Sequence, residues 1–125
     1  MIRFHYGPAM ARFFERNTGY PRPDVDIMES ADNYLFSFEI PGALKEDVKI
    51  WLEDDILTVS GEKKEKLAKG ETKLLSERSF GKFEMSFRLP GGIDGNRLKA
   101  EFIAGLLMVT VPKTAEAKPK KISIK

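Results

Sequence analysis

The chain has 125 residues, 42% hydrophobic and 32% charged, with 21 basic against 19 acidic side chains, a net charge of +2 and no cysteine. That length suits one domain, the near-balanced charge makes no electrostatic case for nucleic acid, and without cysteine there are no disulfides, thiolate nucleophiles or sulfur-ligated zinc sites. The one histidine, His5, stands alone near the start, where it reads as a solvated side chain and not as a ligand or general base.

Residues 1–23 form a distinct N-terminal arm. It carries Phe4, Tyr6, Phe13, Phe14 and Tyr20 among Pro8, Pro21, Pro23, Gly7 and Gly19. The stretch AMARFFERN is expected to form a short helix, with Met10, Phe13 and Phe14 at i, i+3 and i+4, though fewer than three turns do not stand alone in water. Two readings follow: the aromatics pack on the parent domain, or the arm is sticky and conformationally variable. The prolines and glycines favour the second. No stretch approaches the ~20 apolar residues of a membrane span, and the start lacks the apolar core of a secretory signal, so the expected location is the cytoplasm.

From Asp24 the pattern has period two, which predicts strands. Val25 and Ile27 alternate with acids. Tyr34, Phe36, Phe38 and Ile40 share one face, and Pro41-Gly42 marks a turn. Val48, Ile50 and Leu52 share a face opposite Lys49, Trp51 and Glu53. After Asp54-Asp55 come Leu57, Val59 and Gly61. Later, Phe83, Met85, Phe87 and Leu89 align, then Leu98, Ala100 and Phe102, then Leu107, Val109 and Val111 beyond Gly105. Seven short strands over residues 24–113 predict an all-β fold, an immunoglobulin-like antiparallel β-sandwich.

The connection EKKEKLAKGETKLLSERS is long for a compact domain. It is either a floppy surface loop or a segment, around Leu74 and Leu75, that pairs outside its own sandwich; free sheet edges invite such strands, which favours the second. Residues 114–125 form a lysine-rich C-terminal tail that reads as a tether, broken only by Ile122 and Ile124 on one side of an extended segment.

Nothing here builds an enzyme. Asp24/Asp26 and Asp54/Asp55 are ordinary strand-start and turn acids. The glycines around Asp94 lack the strand-loop-helix context and lysine of a phosphate cradle. No G-x-S-x-G occurs. The strand aromatics face inward and so form no base-stacking platform, Trp51 excepted. No cofactor, metal or small-molecule substrate is expected.

The chain resembles the small heat-shock proteins, the α-crystallin domain family, of the type that carries a strand in the long loop. The resemblance rests on several motifs in order: Pro41-Gly42, Lys45 to Val48, L-x-V-x-G at Leu57 to Gly61, then Glu77, Arg78, Gly81, Phe83, Phe87, Leu89 and Pro90. The late signature at Ala100, Gly105 and Leu107 and the terminal I-x-I at Ile122 and Ile124 complete it. It covers residues 24–113 and the tail. It implies a homo-oligomer of dimers that binds partly unfolded proteins without ATP. It implies that the loop strand (Lys73, Leu74, Leu75, Glu77, Arg78) is exchanged in the dimer. It further implies that Ile122 and Ile124 dock in a neighbour's groove between two edge strands, here Val48 and Ile50 with Leu98, Ala100 and Phe102. The arm aromatics Phe4, Tyr6, Phe13 and Phe14 are the expected client contacts. Met85 stands where many relatives have arginine, and Ala104 where they have asparagine. The alternative function is an adaptor sandwich binding one defined protein; such modules lack the I-x-I tail and the strand-bearing loop, which favours the chaperone.

Overall fold

Each of the seven alternating segments is a strand in the computed structural model, which describes residues 14–17, 22–117 and 121–125. The strands are β1 (Phe14–Asn17), β2 (Val25–Glu29), β3 (Asn33–Glu39), β4 (Val48–Glu53), β5 (Ile56–Lys63), β6 (Gly81–Arg88), β7 (Lys99–Ile103) and β8 (Leu106–Pro112). They form two four-stranded sheets, in the orders β1-β6-β5-β4 and β2-β3-β8-β7. Every neighbouring pair is antiparallel. The fold is therefore an antiparallel β-sandwich.

Period two works here because each sheet buries only one face. Phe36 and Phe38 of β3, Leu57 and Val59 of β5, Met85 and Phe87 of β6 and Val109 of β8 are all buried between the sheets. The Phe87 ring meets Phe36 edge-on at 5.4 Å between centroids and Phe38 at 5.9 Å, joining the two sheets. Met85, which interrupts the motif expected from the resemblance, has no exposed surface. It is a core residue between β5 and β1, opposite Val59 and Asn17.

Two hairpins use two-residue turns with both residues left-handed, Asp54-Asp55 (φ 51° and 61°) and Ala104-Gly105 (φ 52° and 80°). That geometry matches the strand twist. Gly61 has a different reason to be glycine. A Cβ there would lie 2.8 Å from the Asp47 carbonyl oxygen and 2.8 Å from the edge of the Phe83 ring. The glycine of L-x-V-x-G thus lets the Lys45–Asp47 turn close over β5.

The helix expected over AMARFFERN is not what its last residues form. Phe14–Asn17 is strand β1, in register with β6 from Phe14↔Arg88 to Asn17↔Met85. The edge of β6 away from β5 offers unpaired backbone groups, and satisfying them outweighs a helical turn too short to hold itself. The rest of that stretch lies outside the described residues.

Residues 64–80 form no strand within the chain. At the other end, Lys113 closes the sandwich. Its backbone N–H donates to the Asp32 carbonyl at 2.8 Å, and its buried ammonium donates to Glu29 Oε2 at 2.8 Å and lies over the Tyr34 ring. Beyond Lys113 the tail begins.

Candidate functional site

The two sheet orders leave β4 and β7 as edge strands on the same flank. Across that flank they run in opposite directions. The backbone at Gly95, just before β7, lies against the Leu52 side chain near the end of β4, since a Cβ at Gly95 would come within 2.9 Å of Leu52 Cδ2. Between the edges runs a groove of about 470 Å³, lined by Val48 and Ile50 from β4 and by Ala100 and Phe102 from β7. Leu107 of β8 also lines it, and Lys45 and Glu101 are its charged members.

Four of the five residues nominated from alternation thus line one cavity. Leu98 does not. It sits toward the Gly95 end, partly buried against the core. Leu107 was missed because alternation assigns it to the core, which it also is; only the register Phe102↔Leu107 brings it beneath the groove. Val48, Ile50 and Phe102 are half-buried and Ala100 is exposed, so the groove offers partly desolvated apolar surface and two free backbone edges, suited to an extended apolar segment.

The chain carries such a segment. Ile122 and Ile124 are 84% and 98% exposed, so neither is seated in its own chain's groove. Lys121 and Lys125 flank them.

The loop is held by polar contacts while its leucines face outward. Lys73 forms an ion pair with Glu65. The Lys73 ammonium and the Arg78 guanidinium lie over the Phe80 ring, 5.4 Å and 5.0 Å from its centroid. Arg78 also packs on the Pro41-Gly42 turn, where a Cβ on Gly42 (φ 88°) would stand 3.0 Å from Arg78 Nη2. Lys64 pairs with Asp47 at 3.0 Å; the hydrogen bond and the carboxylate's charge hold its ammonium above a lysine's ordinary pKa. Glu77 is exposed, and Leu74 and Leu75 are 95% and 76% exposed.

Of the arm aromatics, Phe4, Tyr6 and Phe13 lie outside the described residues, and the backbone of Phe14 pairs with β6. Among the described residues no group of three His, Cys, Asp or Glu side chains could hold a metal ion. No helix among them is long and apolar enough to cross a membrane.

Comparison with known proteins gives consistent results. The sequence profile of the Hsp20/alpha crystallin family matches residues 26–125. Spore protein SP21 of Stigmatella aurantiaca is 35% identical over 115 residues, covering 90% of this chain and 68% of that protein. Among solved structures, heat shock protein 16.0 from Schizosaccharomyces pombe superposes with a TM-score of 0.72 at 37% identity, covering 82% of this chain and 97% of that one. A small heat-shock protein from Xylella fastidiosa, described as having a distinct high order structure, does so with a TM-score of 0.71 at 28% identity, covering 83% and 96%.

Proposed function

The chain belongs to the Hsp20/alpha crystallin family, whose small heat-shock proteins are chaperones, and on that premise we propose that it is an ATP-independent holdase. In this reading it binds partly unfolded proteins through its aromatic arm and keeps them from aggregating. Leu74 and Leu75 add to a partner's sandwich to make a dimer, and Ile122 and Ile124 dock in a neighbouring subunit's groove to join dimers.

The observation that carries this reading is the pairing, in one chain, of an apolar groove between two free edges with an exposed two-isoleucine tail. The magnitudes suit reversible assembly. Burying each isoleucine contributes roughly 1.5–3 kcal/mol, while ordering each tail residue costs about 1–2 kcal/mol. The net per tail is close to zero. Many tethered copies still hold an oligomer, because each tether raises the local concentration of the next.

The test is aggregation of a heat-unfolded client, followed by light scattering without nucleotide. Near-stoichiometric protein should suppress the signal, and the client should regain activity once an ATP-driven chaperone is added. Unchanged client aggregation, or suppression that requires ATP, would overturn the proposal.

A further inference from the structure

The outer face of the β2-β3-β8-β7 sheet does not read as an ordinary solvated face. Met28 of β2 is 62% exposed and Ile103 of β7 is 50% exposed. Between them lie half-buried Leu35 of β3 and Leu106 and Met108 of β8. All five alternate with buried or partly buried neighbours (Ile27, Tyr34, Leu107, Val109, Phe102), so all five point away from the core. The register makes them continuous. Met28 is opposite Leu35, Leu106 is opposite Ile103, and Met108 is two residues from Thr110, the partner of Leu35. An apolar diagonal therefore crosses all four strands, from one edge of the sheet to the other.

Charge on this face is one-sided. Asp26, Ser37, Met108 and Glu101 form one cross-strand row, and Glu39 heads the next, opposite Leu106. Lys99 is the only basic residue on the outward positions of these strands, so three carboxylates flank the diagonal against one ammonium. Methionine-bearing surfaces adapt to irregular apolar partners.

The matching segment is the start of the chain. Residues 1–13 contain Ile2, Phe4, Tyr6, Met10 and Phe13, two arginines (Arg3 and Arg12), and no Asp or Glu. We infer that residues 1–13 seat on this face of their own chain, aromatic side chains along the apolar diagonal and arginines against Asp26, Glu39 and Glu101. The path is short enough. With β4 and β7 on one flank, β1 and β2 share the other, so the segment enters beside Met28. Extended, it reaches roughly 40 Å, whereas passing the sandwich edge and crossing four strands takes about 10 Å and then about 14 Å. The seat would store the aromatic segment and release it to a client, since both compete for the same side chains.

The absence of native cysteine makes the test clean. Full-length protein carrying Phe4→Cys and Met28→Cys is oxidised with copper phenanthroline and read on non-reducing gels and by mass. Phe4→Cys with Trp51→Cys, on the outer face of the other sheet, is the reference. The expected result is an intrachain disulfide at least tenfold faster in the Met28 pair, slowed several-fold by adding Asp26→Lys and Glu101→Lys. Equal rates in the two pairs, or disulfides that join chains, would overturn the inference. So would a rate indifferent to the charge reversals. Asp26, Met28, Trp51 and Glu101 are exposed in the fold, and circular dichroism checks that each variant folds. The readout involves no client, so its failure would leave the holdase reading standing, and failure of that reading would leave the seat standing.

Discussion

Ala104 holds a backbone conformation that its side chain does nothing to favour. At φ 52° it is the first residue of the β7-β8 turn, where a Cβ costs roughly 1–2 kcal/mol and asparagine offsets part of that by local hydrogen bonding. Ala104 is exposed, so nothing has to repack around a longer side chain. Ala104→Asn should stabilise the fold by about 0.5–1 kcal/mol, raising Tm by a few degrees, measured calorimetrically at fixed protein concentration. An unchanged or lower Tm would mean that the turn is not under strain. Gly61 is the opposite case. Gly61→Ala places a methyl 2.8 Å from both the Asp47 carbonyl and the Phe83 ring, and overpacking of this kind costs about 1–3 kcal/mol. It should lower Tm, and a wild-type Tm would show that the Lys45–Asp47 turn yields without cost.

At the scale of elements, the seven alternating strands were legible in the sequence because each presents one face to the core. β1 was not. FERN has no alternation of its own, and its extended form comes from the free edge of β6, a partner distant in sequence. The groove was legible in part. Alternation put Val48 with Ile50 and Ala100 with Phe102, but the offset of two oppositely running edges decides which pairs meet, and that excluded Leu98 and admitted Leu107. The outer diagonal escaped for the same reason. Met28, Leu35 and Met108 are each an isolated outward residue until the register of four strands joins them.

In the proposed dimer the loop is the element whose role depends most on a second chain. Its internal contacts include the Lys73–Glu65 ion pair, a few exposed hydrogen bonds and cations over Phe80, individually worth about 1 kcal/mol or less. They cannot be the reason that Leu74 and Leu75 stand in water. If strand exchange forms the dimer, several backbone hydrogen bonds and both leucines are at stake together. Deleting residues 72–77 should then yield monomers by sedimentation velocity at micromolar concentration. Intact dimers after that deletion would move the dimer contact elsewhere on the sandwich.

For the whole molecule, tail docking as proposed would decide whether dimers become something larger. Each such docking event would be near balance, so small losses at the isoleucines would be multiplied over every contact in the proposed assembly. Truncating Ile122 and Ile124 to alanine removes three carbons from each, at about 0.8 kcal/mol per buried carbon. That is about 5 kcal/mol per tail, more than the margin of any single contact. The tether, the loop and the sandwich are untouched, and both residues are exposed in the single chain, so folding should not change. Ile122→Ala with Ile124→Ala should therefore reduce the native mass by light scattering to that of a dimer while Tm of the sandwich stays within a degree or two. A mass equal to wild type would show that other contacts join the dimers. A monomeric wild type would remove the premise that there are dimers to join. The same variant separates assembly from client binding: if the arm meets the client and the tails only join dimers, as proposed, the variant should still suppress aggregation as a dimer.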